Sequence, residues 1–245
     1  VQQREFDASV LAVLPLVGED VPEGATHAVI LDKSCFYPEG GGQIGDAGYI
    51  DDGENKLSII DTKKENDLII HFSKELPKNI NASFKAVVNA IKRELIANNH
   101  TATHLLHQAL REVLGEHVEQ KGSLVNDKHL RFDFSHFEKL SKDDIVDIQQ
   151  LVNNRIRASI QLEEFRNIPL NKAKEEGAMM LFGEKYGEVV RMIKFEDSIE
   201  LCGGIHVNST SNIGQFIITN ESSIAAGVRR VEAITADAAD QYLNN

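Results

Sequence analysis

The spacing of apolar positions changes character near residue 89. Before that point the apolar runs are short: residues 28–31, 57–60 and 68–72. They are separated by turn chemistry at Glu39-Gly40-Gly41-Gly42, Gly45-Asp46 and Asp51-Asp52-Gly53. Short strands with frequent Gly and Asp turns predict a small barrel or sandwich. Pro77-Lys78-Asn79 reads as the exit from that unit.

From residue 89 to 114 the apolar side chains recur at helical spacing: Ile91, Leu95, Leu105, Leu106, Ala109, Leu110, Val113 and Leu114. Asn98, Asn99 and Thr101 are poor helix formers in its middle, which predicts a break or kink there. Gly115 is a C-terminal stop. Residues 130–134 alternate as a strand. Ser141 followed by Asp143 and Asp144 opens a helix that runs to about residue 159. A short helix is expected at 172–176, strands at 189–193 and 213–219, and a last helix from about 236. No internal repeat or low-complexity tract interrupts the pattern. The fold class is α+β: a small β-barrel-like N-terminal unit, residues 1–88, followed by a larger α+β unit, residues 89–245.

Composition narrows the class without changing that picture. A chain of 245 residues with 42% hydrophobic content buries a core without covalent staples. Two cysteines, Cys35 and Cys202, exclude a disulfide scaffold. No apolar run approaches the ~18 residues of a membrane span. The run at 10–17 follows Arg4, Glu5 and Asp7 and lacks a signal peptide's basic lead-in. The expectation is a soluble, cytoplasmic protein with no membrane partner. A formal charge of -12 argues against strong, indiscriminate nucleic-acid binding, which draws on phosphate neutralisation.

The candidate chemistry lies in two clusters. His100 and His104 sit four positions apart in the long helix, on one face, where two imidazoles can converge on one ion. His107, three further on, is a neighbour or a third partner. Cys202-Gly203-Gly204-Ile205-His206 places a thiol and an imidazole four positions apart with two glycines between them. Those glycines permit a tight turn that aims both side chains at one centre. The alternative is a buried, inert Cys202 with His206 merely opening the next strand. Taken together, His100, His104, Cys202 and His206 form a nitrogen and sulfur set suited to Zn2+. Four protein ligands would close a structural site, and three would leave a position for water or substrate. Thr101, Ala102 and Thr103 between the helical histidines supply no HExxH glutamate, which disfavours a metalloprotease.

Several longer segments carry a resemblance. Residues 36–46 (FYPEGGGQIGD), 99–107 (NHTATHLLH), 115–123 (GEHVEQKGS), 130–136 (LRFDFSH), 178–187 (AMMLFGEKYG), 200–207 (ELCGGIHV) and 227–233 (GVRRVEA) occur in order. This series resembles the alanyl-tRNA synthetase editing domain, over nearly the whole chain. The resemblance implies a zinc-dependent hydrolase that removes serine or glycine from mischarged tRNA(Ala). A site built for alanine cannot exclude glycine by size and rejects an added hydroxyl poorly, so a second, hydrolytic site is needed.

It further implies editing-site roles for Thr103 and Gln120. The residues alone leave each an alternative: a hydroxyl bonded back to its own helix, and a solvated amide. The glycine-rich segment is a tight turn with a bulge, or, in the family, lies near the tRNA end or the editing pocket. Arg229 and Arg230 could touch RNA phosphate, or Arg230 could equally form an ion pair inside the fold. One departure is Ile205, where the family usually has threonine, which would remove a hydroxyl close to the ligands. The implied partners are the tRNA(Ala) acceptor end carrying serine or glycine, and the other domains of a full-length synthetase.

The start at Val1 and the lack of a class II catalytic core there read as an internal fragment rather than a stand-alone editing protein. Two rival readings stand beside this one. The first is a non-catalytic, zinc-stabilised tRNA-binding module. The second is a threonyl-type editing domain, which the glycine-rich unit and residues 178–187 disfavour.

Overall fold

The computed structural model describes residues 3–16, 21–180 and 186–244. Its described residues form thirteen strands, four α-helices and one 3-10 turn in a mixed α/β arrangement. Two compact units result: residues 1–40 with 44–93, and residues 41–43 with 94–245.

The first unit is a closed six-stranded barrel. Its strands are β1 (Glu5–Pro15), β2 (His27–Leu31), β3 (Gly48–Asp51), β4 (Lys56–Glu65), β5 (Leu68–Ser73) and β6 (Ser83–Val88), in the order β1-β2-β5-β4-β3-β6. Closure depends on β1 serving two neighbours. Its first half, from Glu5 to Ser9, pairs with β6, and its second half, from Val10 to Pro15, pairs with β2. A bulge between Val10 and Ala12 lies where the partner changes, as expected of a strand that must bend. Alternation directs Phe84, Ala86 and Val88 of β6 inward with Val29, Leu31, Ile50, Leu57 and Ile59.

The exit expected at residues 77–79 comes too early. The chain returns as β6, whose alternating Phe84, Ala86 and Val88 complete the barrel. A buried ion pair braces this unit: Arg93 donates to the Asp46 carboxylate and to the carbonyls of Cys35 and Gln3.

Helix α1 (Ala90–Leu114) begins at Asn89, whose side-chain oxygen accepts from the Lys92 N–H at 3.0 Å. It runs without the expected break, because two of its poor helix formers, Asn99 and Thr101, gain partners outside the helix. Asn99 donates to the Asn126 carbonyl and accepts from the Thr235 hydroxyl, and Thr101 accepts from the Val207 N–H. Gly115 follows with φ +113°.

Two sheets complete the second unit. One has the order β12 (Phe216–Ala225), β13 (Val228–Thr235), β8 (Leu130–Ser135), β7 (Gln120–Val125). The other has the order β11 (Ser198–Leu201), β10 (Val189–Phe195), β9 (Glu163–Pro169). Helix α2 (Lys142–Arg157) carries the expected Ser141 capping box with Asp144. Asn153 on α2 binds both the N–H and the carbonyl of Phe216, which fixes the helix to β12. Helices α3 (Leu170–Glu175) and α4 (Ala236–Leu243) match the two short helices expected. The strand foreseen at 213–219 starts at Phe216, because residues 210–213 form the 3-10 turn. No helix among the described residues is long and apolar enough to cross a membrane.

His71 is fully buried in the barrel, where its Nδ1 donates to the Val29 carbonyl at 3.0 Å and Ser34 Oγ lies 2.7 Å from Nε2. Burial lowers its pKa to about 4, below the usual value near 6.5. The unfolded chain therefore binds the extra proton first, and stability falls as pH drops from about 6.5 towards about 4. The loss should reach about 3 kcal/mol. In urea unfolding from pH 7 to pH 4.5, His71→Gln should flatten this part of the slope. A variant with the wild-type slope would remove His71 as its cause.

Candidate metal centre

His100 and His104 come from the middle of α1, in a stretch from Ile96 to His107 that is buried throughout. Cys202 and His206 come from the turn after β11. The four offer ligand atoms that all lie within 4.8 Å of one another, so together they could hold a metal ion. Cys202 Sγ is 3.4 Å from His100 Nε2 and 3.3 Å from His206 Nε2. The rings of His100, His104 and His206 lie 4.4 to 5.2 Å apart between centroids.

The turn is held from below by Arg191 on β10. Its Nη1 donates to the carbonyls of Cys202 and Gly204, at 2.8 and 2.7 Å, while its Nε donates to Glu164. The two glycines are not equivalent. A Cβ on Gly203 would meet nothing within 4 Å, whereas one on Gly204 would lie 2.0 Å from His100 Cε1. Gly204 is therefore required by the close approach of the His100 ring, and neither glycine has a positive φ.

The far sides of His100 and His206 also have neighbours. His100 Nδ1 faces Gln43 Oε1 at 2.7 Å, and His206 Nδ1 faces Thr101 Oγ1 at 3.1 Å. Glu200, buried on β11, lies 3.6 Å from His104 Nε2 and 3.1 Å from His107 Nδ1. His104 Nδ1 is buried with no hydrogen-bond partner. Such outer contacts orient the ligands of a metal site. The Ile205 side chain is buried, and its backbone N–H donates to Gln43.

Burial sets the protonation. It pushes the pKa of His100 down to about 3 and lowers those of His104 and His206. It pushes the Cys202 thiol up to about 12. Burial also opposes the charge on Glu200, but His104 and His107 outweigh it and hold the carboxyl below its usual value. The metal-free cluster is thus three neutral imidazoles and a neutral thiol. This nitrogen and sulfur set fits a borderline-soft divalent cation such as zinc, which would displace the thiol proton.

The other residues singled out in the sequence are placed differently. Thr103, beside His104 on α1, donates its hydroxyl to the Asn99 carbonyl at 2.8 Å, the bond back to its own helix. Gln120, at the start of β7, donates to Ser123 Oγ at 3.2 Å, and no hydrogen bond joins it to the cluster. Arg230 makes a two-point ion pair with Asp133, and Arg229 pairs with Glu221. Residues 178–180 dock beside β11, with Met179 N–H on the Ile199 carbonyl; residues 181–185 of the same motif lie outside the described residues. Sequence reasoning missed Gln43, Arg191 and Glu200. Only Gln43 carried a signal, its place in the glycine-rich run.

Comparison with known proteins locates the whole arrangement. A model described as the threonyl and alanyl tRNA synthetase second additional domain matches residues 190–232, which include Cys202 and His206. A class II (A) tRNA synthetase model matches residues 3–95, the stretch that folds as the barrel and the start of α1. The alanine–tRNA ligase of Christiangramia forsetii is 56% identical over 226 residues, 91% of this chain and 26% of that protein. Those of Cytophaga hutchinsonii and Bacteroides thetaiotaomicron are 54% and 52% identical, over 89% and 98% of this chain. The chain spans about a quarter of the length of these relatives.

Gly204→Ala should displace His100 and weaken zinc binding at least ~10-fold, while Gly203→Ala should leave it unchanged. Chelator competition on both purified variants measures this. Equal affinities for the two would show that the His100 ring does not need the space.

Proposed function

The chain belongs to the alanine–tRNA ligase family, and from that membership we propose that it hydrolyses the ester of mischarged tRNA(Ala), releasing serine or glycine. The observation that supports this most directly is the convergence of His100, His104, Cys202 and His206 in a chain more than half identical to those ligases. In this reading the four residues hold zinc, which when bound supplies a Lewis acid that positions the 3′-terminal ester or activates water.

The remaining roles fall to the chain's own groups. The Thr103 hydroxyl spends its proton on the Asn99 carbonyl, so it faces a substrate as an acceptor. It suits the hydroxyl of an attached serine or the protonated amino group of either amino acid. Gln120 commits one N–H to Ser123, which leaves its second N–H and its carbonyl to orient water or the ester. Arg229 and Arg230, both neutralised by carboxylates, take no part in holding RNA phosphate. With a net charge of -12, the affinity for tRNA comes mainly from other domains of the longer protein. Residues 1–88 and 89–245 serve as the barrel and editing domains, acting in the cytoplasm.

One observation favours a second reading. Four protein donors in one cluster can fill a tetrahedral shell, which is the mark of a structural site. The chain would then be a zinc-stabilised module that binds tRNA without turning it over.

Release of amino acid separates the two. With zinc bound and protein in excess, the chain should deacylate Ser-tRNA(Ala) and leave Ala-tRNA(Ala) intact. Cys202→Ala should lose bound zinc together with at least ~100-fold of the rate. Tight tRNA binding with no release by the zinc-loaded wild type would favour the module. Full activity in a zinc-free Cys202→Ala chain would refute the ligand assignment.

A further inference from the structure

The glycine-rich segment singled out in the sequence is left without a role by the reading above. We propose that Gly41–Gln43 is an arm of the metal centre, in which Gln43 is the positioning residue for both His100 and the Cys202–His206 turn. The proposal rests on reading that cluster as a metal site.

The argument starts from one atom. Gln43 is fully buried, and its Oε1 lies 2.9 Å from the Ile205 backbone N and 2.7 Å from His100 Nδ1. A backbone N–H can only donate, so the side-chain atom it meets is the amide oxygen. The imidazole nitrogen facing the same oxygen must then carry a proton. His100 is thereby held as the Nδ1–H tautomer, with the bare lone pair of Nε2 directed to Cys202 Sγ at 3.4 Å. That is the form a neutral imidazole needs in order to bind a metal through Nε2. The same oxygen fixes the turn between the two other ligands, because Ile205 lies between Cys202 and His206.

The backbone of the segment is built for this placement. The Val125 N–H donates to the Gly42 carbonyl at 2.7 Å, and Gln43 forms a parallel bridge with Val125 on the edge strand β7. Gly42 has φ +80°, and a Cβ there would lie 2.1 Å from Ser123 Oγ and 2.8 Å from the Ser123 carbonyl oxygen. Only glycine lets the chain lie against β7 at this point.

The other end of the Gln43 amide sharpens the case. Its Nε2 is buried with no hydrogen-bond partner. An orphaned donor is costly, so the side chain is not held in place by its nitrogen. Its oxygen is the working end, one acceptor shared by His100 Nδ1 and the Ile205 N–H.

Two measurements test this: zinc affinity by chelator competition, and the ring tautomer of His100 by long-range proton–nitrogen NMR on the zinc-free chain. Gln43→Met keeps the length and removes the acceptor. It should weaken zinc binding ~10–100-fold and release His100 from the single Nδ1–H form. Gln43→Glu restores the acceptor and should recover most of both. Gly42→Ala leaves Gln43 in the chain but should reproduce the Met variant.

Wild-type affinity and tautomer in Gln43→Met would overturn the proposal, as would a glutamate variant no better than methionine. If Gln43→Met fails to fold by circular dichroism, Gly42→Ala and Gln43→Glu carry the same test. A wild-type chain that binds no zinc would instead overturn the reading of the cluster. The tautomer of its zinc-free form would still decide what Gln43 does.

Discussion

A helix buried on every side cannot leave its polar side chains to water. From Ile96 to His107, α1 meets that condition while carrying Asn98, Asn99, His100, Thr101, Thr103, His104 and His107. Burying such groups without partners costs free energy, so partners must come from elsewhere in the chain. Asn98 Oδ1 and His104 Nδ1 find none, but for the others they come from many places. Gln43 meets His100, Asn126 and Thr235 meet Asn99, and Glu200 meets His107. Thr101 receives His206 and Val207 on one hydroxyl. The position of the Cys202–His206 turn and the arm at Gly41–Gln43 both follow from satisfying this one helix.

That dependence explains what could be read from the sequence and what could not. The i, i+4 histidines and the Cys-x-x-x-His turn are local patterns, and local geometry delivers each pair to one side of its own segment. Their meeting is a matter of tertiary structure, for which spacing alone supplied only chemical compatibility. The roles of Gln43 and Glu200 were hidden for the same reason, since their histidines lie 57 and 93 positions away. The kink expected at Asn98–Thr101 failed because propensity describes an isolated helix, whereas Asn99 and Thr101 bond outward to other segments. Thr103 kept the bond that such a residue makes in any helix.

The barrel shows a different limit. Strands β2, β4 and β5 carry apolar runs and were legible. Strand β6 alternates over only six residues and abuts the cap of α1, so its period merged with the helical one. Strand β1 was hidden by its divided pairing, since a bulge shifts the alternation between the half facing β6 and the half facing β2. Turn chemistry indicated a barrel or sandwich correctly as a class, but closure is set by the register of strands that the composition did not mark.

Charge gives a last reason for the choice of residues around the cluster. Without metal, burial keeps the three imidazoles and the thiol neutral, and Glu200 is the carboxylate beside them among the described residues. A divalent cation would ionise Cys202, and the thiolate and the Glu200 carboxylate would together cancel its charge. A carboxylate at position 43 would keep the acceptor and add one charge, a smaller change than losing the acceptor altogether. An amide supplies the hydrogen-bond acceptor without that charge. A hydroxyl from Thr101 does the same for His206, so the one outer-shell anion sits beside His104 and His107. On this account the acceptor at position 43 is what the site needs first, and its neutrality comes second.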